Sequence, residues 1–149
     1  MLWVCVCIKG VDSKLSADVA KGIKYHIVQI EDEEKQSVME FFDSASQFVE
    51  SALAENEDNR VLIHCGGGKS RSTTFTMAYL ISRKAQSLAV AYGQVSLGRP
   101  KAYPNAGFLD ELERLEVDVH GVTSKAFIAG SKLRDKARWK QVLASWGIQ

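Results

Sequence analysis

The fold is decided by one stretch of sequence, Val61-Leu62-Ile63-His64-Cys65-Gly66-Gly67-Gly68-Lys69-Ser70-Arg71-Ser72. Its apolar start predicts a short buried strand that ends just before a cysteine. Three glycines follow, and a helical pattern begins at Arg71. The successive backbone N–H groups of such a loop, together with the N-terminus of the helix, form a concave site that suits phosphate. This order of strand, glycine-rich loop and helix therefore predicts an anion site beside the cysteine.

Two side chains give this loop its expected chemistry. A cysteine beside a helix N-terminus or a cationic group has a pKa of about 3.5–7.5 instead of about 8.5, so Cys65 is a candidate nucleophile. Arg71 offers a planar guanidinium group that binds two phosphate oxygens at once. The pair favours phosphoryl transfer to sulfur, and the alternative for Cys65 is a small buried residue at a strand end. A Walker A nucleotide site is excluded because Ile63 occupies a position where that motif has glycine.

Around this stretch, predicted strands alternate with predicted helices. Apolar runs predict the strands, at residues 3–8, 25–30 and 60–64. Helical periodicity and capping residues predict the helices, over residues 38–53 and 71–84, after Ser87 and after Asn105. The alternation predicts an α/β fold with a central, mostly parallel sheet flanked by helices.

The composition is that of one ordinary globular domain. The 149 residues are 46% hydrophobic with a net charge of +1, so a single core suffices and the overall charge gives no reason to expect a nucleic-acid partner. No apolar run approaches the roughly 20 residues of a membrane span, and the first residues lack the basic leader of a secretory signal. The chain has three cysteines, two of them at Cys5 and Cys7. They argue against a disulfide framework and favour a reducing compartment, so we expect the cytoplasm, with the nucleus as the alternative.

The C-terminal residues differ in charge from the rest. Residues 121–149 hold six Lys and Arg against one Asp, a net charge of +5, whereas residues 1–120 hold 13 basic and 17 acidic residues, a net charge of −4. Apolar residues of this tail have helical spacing, at Trp139, Val142, Leu143 and Trp146. They predict a basic amphipathic helix that packs on its own domain, on a partner or on a membrane surface.

Three segments resemble the cysteine-dependent protein tyrosine phosphatases. The first is His64-Cys65-x-x-Gly68-x-x-Arg71-Ser72, whose ending Ser70-Arg71-Ser72 resembles the dual-specificity branch. The second is Ala78-Tyr79-Leu80. The third is similar to that branch's Arg-Pro…Pro-Asn-x-Gly-Phe segment and reads Arg99-Pro100-Lys101-Ala102-Tyr103-Pro104-Asn105-Ala106-Gly107-Phe108. The resemblance covers about residues 3–120, so we expect a dual-specificity phosphatase catalytic domain over residues 1–120 and a C-terminal extension over residues 121–149.

The resemblance implies a protein phosphatase that hydrolyses phosphotyrosine and phosphoserine or phosphothreonine through a cysteinyl-phosphate intermediate, without metal or cofactor. It makes Cys65 the nucleophile and Arg71 the group that binds the phosphate and the transition-state charge. Ser72 would donate to the sulfur and help it leave in the second step. Backbone amides of the loop would hold the phosphate oxygens. The substrate-binding residues implied by the resemblance are therefore Gly66, Gly67, Gly68, Lys69, Ser70 and Arg71.

Two further residues are expected to support this loop. By the resemblance, His64 orients the loop and helps to hold the thiolate, and Asn105 braces the loop. The alternatives are an ordinary strand-end histidine and a plain helix cap.

The implied reaction also needs a general acid on a separate loop, which protonates the leaving oxygen and then activates water. In the family this is an aspartate upstream of the cysteine, just after a strand. Asp32 fits because it follows the predicted strand at residues 25–30 and precedes Cys65 by 33 residues. Its neighbours Glu31, Glu33 and Glu34 are alternatives, and so is a solvated acidic loop without a catalytic role.

Two departures from the family pattern carry expectations. By the resemblance, family members begin with another strand upstream of the one at residues 3–8, and we expect that strand to be missing here. We therefore expect the strand at residues 3–8 near the sheet edge, with either self-association through it or cover from the tail. Asp110-Glu111-Leu112 stands where the branch often has a glutamine before the leucine, which we expect to affect packing rather than chemistry.

Several alternatives stay open. Lys69 lies in the loop, as a lysine does in phosphoinositide phosphatases of the superfamily, so phosphoinositides or other non-protein phosphoesters are alternative substrates. A phosphoprotein-binding module without turnover is another alternative, although the catalytic set is complete. The expected partner is a phosphorylated protein, for which a kinase is one candidate. Cys5 or Cys7 can form a disulfide with Cys65 only if the two Cα atoms lie within about 7 Å, and the alternative is a buried strand cysteine.

Overall fold

The computed structural model describes residues 3–10, 22–125, 140, 141 and 144. The described part of residues 3–120 contains three strands and four helices, in the order β1 (Trp3–Lys9), β2 (Lys24–Gln29), α1 (Met39–Glu55), β3 (Arg60–His64), α2 (Arg71–Lys84), α3 (Leu88–Gly98) and α4 (Ala106–His120). Every strand and helix predicted from the sequence between residues 3 and 120 is present. The prediction of an α/β fold is confirmed.

The described strands all pair in parallel, in the order β2-β1-β3. Cys7 of β1 lies opposite Ile27 of β2 and opposite His64 of β3. Just beyond β2, the backbone N–H of Ile30 donates to the carbonyl oxygen of Lys9 at 2.9 Å. Because the strands are parallel, their carboxyl ends lie at the same end of the sheet. The loops that follow β2 and β3 therefore begin at that end, on either side of β1.

The prediction that the first strand lies near the edge of the sheet is wrong for the sheet that the described strands form. β1 lies in the middle of them and pairs with β2 on one side and with β3 on the other. Its backbone N–H and C=O groups are therefore engaged in both ladders, and self-association through a free edge of β1 has no basis. The edges of the described sheet belong to β2 and β3.

The core lies between the sheet and the helices. Alternate residues of β1, Val6 and Ile8, are buried there, as the period of a strand requires. Phe42 of α1 and Phe75 of α2 meet edge to face, with ring centroids 5.3 Å apart. The apolar stripe predicted for α1 extends beyond the buried face, because Leu53 in the last turn is 39% exposed.

None of the described helices combines the length and the apolar character that crossing a bilayer requires. The apolar residues from which the tail helix is predicted, Trp139, Val142, Leu143 and Trp146, lie outside the described residues.

Replacing Phe42 by alanine should destabilise the fold by about 3–5 kcal/mol, because the change opens a cavity against Phe75. Leu53→Ala, on the same helix but partly exposed, should cost less than about 1 kcal/mol. Urea unfolding followed by circular dichroism measures both losses. Equal losses in the two variants would contradict the assignment of the buried face of α1.

Candidate active site

The loop between β3 and α2, residues 65–70, is named here the phosphate loop, and it bends back sharply at one glycine. Gly68 has a φ of +58°, in the left-handed region that residues with a side chain rarely adopt. A Cβ at this position would also lie 2.7 Å from Nη2 of Arg99. Glycine at position 68 therefore permits both the backbone conformation and the close approach of an arginine.

Cys65 sits at the start of the phosphate loop, half-buried, with its sulfur 3.3 Å from the hydroxyl oxygen of Ser72. Burial by itself raises the pKa of the Cys65 thiol. Hydrogen bonds from the hydroxyl and the backbone N–H of Ser72, and from the backbone N–H groups of Gly68 and Lys69, outweigh burial and lower the pKa below its ordinary value. The thiolate is therefore present at lower pH than in an unperturbed cysteine.

Arg99 holds the phosphate loop from outside, and sequence reasoning assigned it no role. Its Nε donates to the carbonyl oxygen of Gly68 at 3.0 Å, and its Nη2 donates to that of Gly67 at 3.3 Å. In a trans peptide the C=O and N–H groups point in opposite directions. Binding these two oxygens therefore directs the N–H groups of Gly68 and Lys69 inward, and these are the groups that donate to Cys65.

Arg71 begins α2 and reaches across to the end of β2. Its Nη1 donates to the carbonyl oxygen of Ile30 at 3.1 Å. Its Nη2 lies 3.8 Å from the point where a Cβ on Gly66 would be, so the guanidinium group borders the phosphate loop. Nε of Arg71 is buried and has no hydrogen-bond partner among the described residues. A buried donor of this kind is costly unless an acceptor such as a phosphate oxygen satisfies it.

Asn105 joins three parts of the site. It caps α4, since its side-chain oxygen accepts from the backbone N–H of Phe108 at 2.9 Å. Its own backbone N–H donates to the hydroxyl of the buried Ser70 at 3.1 Å. Its side-chain amide donates to Oδ1 of Asp32 at 3.0 Å. The cap expected from the sequence is thus also a link between the phosphate loop and the loop that carries Asp32.

Residues 31–37, named here the acid loop, run from the end of β2 towards α1. Asp32 is exposed there and its carboxylate is bonded to Asn105. The carboxylate of Glu31 lies instead against Gly10, where a Cβ would come within 2.9 Å of both its oxygens. The carboxylate of Asp32 thus contacts Asn105, the residue that also holds the phosphate loop through Ser70.

A cleft of about 360 Å³ lies between the two loops and the start of α4. Its lining combines acidic, basic and aromatic side chains, contributed by Asp32, Glu34, Lys69, Ser70, Tyr103, Asn105 and Ala106. The backbone N–H of Tyr103 donates to the carbonyl oxygen of Lys69 at 2.8 Å, which fixes one wall of the cleft to the phosphate loop.

The remaining predicted residues lie as follows. His64 is half-buried at the end of β3, directly before Cys65, and its role in orienting the phosphate loop stays a prediction. Lys69 is exposed on the loop. Cys5, Cys7 and Cys65 are all free thiols. Burial and the neighbouring Cys65 raise the pKa of Cys7, although Lys9 opposes the shift, so Cys7 does not share the lowered pKa of Cys65.

The chain is similar to known proteins in sequence and in structure. A family model described as the catalytic domain of dual specificity phosphatases matches residues 4–118. Dual specificity protein phosphatase 1 of Arabidopsis thaliana is 39% identical over 92 residues, which cover 62% of this chain and 46% of that protein. MAP kinase phosphatase with leucine-rich repeats protein 2 of Dictyostelium discoideum is 34% identical over 96 residues, 64% of this chain and 13% of that protein.

Among solved structures, the crystal structure of human DUSP28 matches with a TM-score of 0.70 and 26% identity, over 78% of this chain and 76% of that one. The chain spans about half or less of the length of the curated relatives it matches.

Replacing Ser72 by alanine should raise the pKa of Cys65, because the variant loses a hydroxyl hydrogen bond that opposes the effect of burial. Alkylation of Cys65 by iodoacetamide at increasing pH, followed by mass spectrometry of the peptide that contains Cys65, reports the thiolate. We expect the midpoint of alkylation to move to higher pH. Ser82→Ala, on the same helix but bonded to Ala78 and Ser46, is the matched control and should leave the midpoint in place. An unchanged midpoint in Ser72→Ala would show that the hydroxyl does not stabilise the thiolate.

Proposed function

The chain belongs to the dual-specificity phosphatase family, and from that membership we propose that it is a protein phosphatase acting on phosphotyrosine and on phosphoserine or phosphothreonine. One observation carries the proposal. The hydroxyl of Ser72 and backbone N–H groups of the phosphate loop donate to Cys65 and lower its pKa against the effect of burial. Beside them lies Arg71, whose Nε is buried without a partner among the described residues. A nucleophile and a set of anion donors at one point are what phosphoryl transfer to sulfur requires.

In the first step the Cys65 thiolate attacks phosphorus, so that a P–S bond forms as the bond from phosphorus to the leaving oxygen breaks. Asp32 gives its proton to that oxygen, which leaves as an alcohol or phenol. The guanidinium group of Arg71 and the N–H groups of the phosphate loop bind the non-bridging oxygens. They also stabilise the charge of the transition state.

In the second step Asp32, now a carboxylate, takes a proton from water, whose oxygen attacks the phosphorus of the cysteinyl-phosphate. The P–S bond breaks and inorganic phosphate forms. The hydroxyl of Ser72, 3.3 Å from the sulfur, donates to the departing thiolate. The same residue therefore supports the nucleophile before attack and the leaving group afterwards.

A phosphorylated protein is the proposed substrate and partner, and a kinase is one candidate because one relative is named a MAP kinase phosphatase. We assign the catalytic domain to residues 1–120 and an extension to residues 121–149. A cytoplasmic or nuclear location suits a reaction that needs a reduced cysteine.

Replacing Cys65 by serine should reduce the hydrolysis of an aryl phosphate to the rate without protein, because no thiolate remains to form the P–S bond. The variant should still bind tungstate, a phosphate analogue, since the N–H groups and Arg71 stay in place. Turnover and calorimetric titration measure the two properties. Cys7→Ser, a cysteine outside the phosphate loop, is the matched control and should retain most of the activity.

The same experiment tests the alternative of a phosphoprotein-binding module. If the wild-type protein and Cys65→Ser hydrolyse the aryl phosphate at the same background rate while both bind tungstate, the chain binds phosphate without turning it over.

The proposed substrate class predicts that phosphotyrosyl and phosphothreonyl peptides are hydrolysed with a kcat/KM about tenfold or more above that for a phosphoinositide in vesicles, a difference of about 1.4 kcal/mol in transition-state binding. Phosphate release measures all three. A higher kcat/KM for the phosphoinositide that is lost in Lys69→Gln would favour the lipid alternative, because Lys69 adds an exposed charge beside the anion site.

A further inference from the structure

We propose that Glu111 of α4 positions the acid loop, so that Asp32 can transfer its proton. This inference rests on the proposed function, in which Asp32 is the general acid. Glu111 acts through the start of α1 and is a positioning residue.

The first observation is that two N–H groups at the start of α1 are bound by a side chain of another helix, α4. The residue before α1 is Val38, whose side chain has no atom that could accept a hydrogen bond. Oε2 of Glu111 accepts instead from the backbone N–H groups of Val38 and Met39, both at 2.7 Å. The first N–H groups of a helix have no partner within the helix, and a carboxylate there gains from both the hydrogen bonds and the helix dipole.

The second observation is that α4 also holds the acid loop nearer its centre. The Asn105 side chain binds the carboxylate of Asp32. Two residues later, a Cβ on Gly107 would lie 1.9 Å from the backbone carbonyl oxygen of Glu34, so the loop rests directly on α4. The contacts of Glu111 hold the far end of the same segment.

These contacts complete the anchoring of the acid loop. Its near end is fixed by the sheet, where the N–H of Ile30 binds Lys9 and the carbonyl of Ile30 accepts from Arg71. Its far end continues into α1, whose start is bound by Glu111. A displacement of a catalytic group by about 1 Å can cost about a hundredfold in rate. An acceptor oxygen at position 111 therefore has a consequence beyond packing, because it binds the start of α1.

The experiment compares kcat/KM for two aryl phosphates, phenyl phosphate and 2,4-dinitrophenyl phosphate. The first has a poor leaving group that needs the proton from Asp32, and the second has a good one that does not. Because kcat/KM covers only the steps up to departure of the leaving group, it reports the proton transfer directly. The variants are Glu111→Ala and Glu111→Met, the latter keeping the length and helix propensity of the side chain.

For both variants we expect kcat/KM to fall about tenfold for phenyl phosphate and less than about threefold for the dinitrophenyl ester. Glu111→Gln, which keeps an acceptor oxygen, should recover part of the loss. Asp110→Ala is the matched control on the neighbouring residue, since the Asp110 carboxylate pairs with Lys125. It should leave both constants unchanged. In an Asp32→Asn background, Glu111→Ala should produce no further selective loss, because the proton donor is already absent.

The failure of this inference differs from the failure of the proposed function. If Asp32→Asn loses activity selectively for phenyl phosphate but neither Glu111→Ala nor Glu111→Met does so, the positioning role of Glu111 is wrong and the proposed mechanism stands. Equal losses for the two esters in the Glu111 variants would likewise overturn the positioning role, since they would report a general disturbance of the fold. If Asp32→Asn itself shows no selective loss, the assignment of the general acid fails and this inference fails with it.

Discussion

The convergence of backbone N–H groups on Cys65 is the interaction on which the rest of the site depends. Burial alone would raise the pKa of the Cys65 thiol, and the hydroxyl of Ser72 together with the N–H groups of Ser72, Gly68 and Lys69 lowers it. Fixed peptide dipoles and one hydroxyl group provide this stabilisation without a cationic side chain having to reach the sulfur. Under the proposed function, the same concave loop then receives the oxygens of the phosphoryl group.

The inward direction of these N–H groups depends on an unusual backbone conformation within the loop and on hydrogen bonds from a residue outside it. Gly68 adopts a left-handed conformation, and Arg99 binds the carbonyl oxygens on the opposite side of the same peptides. The phosphate loop is thus held from both of its faces, by α2 on one side and by the segment before α4 on the other. A loop held in this way keeps its donors in place before any anion arrives, which is the preorganisation that electrostatic catalysis requires.

The parallel sheet and α4 together place the second loop. Parallel pairing brings the carboxyl ends of β2 and β3 to the same end of the sheet. Because β1 lies between these two strands, the acid loop and the phosphate loop begin on opposite sides of β1. The pattern within residues 3–8 does not reveal which strands lie beside β1, so the expectation of an edge position is wrong.

Helix bounds are predictable where periodicity and capping are local, as for α2 and for the Asn105 cap of α4.

By itself the sequence determined the strand, glycine-rich loop and helix around Cys65, the α/β alternation, and the candidates Arg71, Ser72 and Asp32. These depend on residues that lie close together along the chain or on a motif of fixed spacing. Only the tertiary structure decided that Arg99 binds loop carbonyls 31 and 32 residues away. It alone also decided that Asn105 meets Asp32, and that Glu111 meets Val38, each across 73 residues of sequence. A hydrogen bond between distant segments leaves no periodic trace in either segment, because its geometry arises only when the helices pack on the sheet.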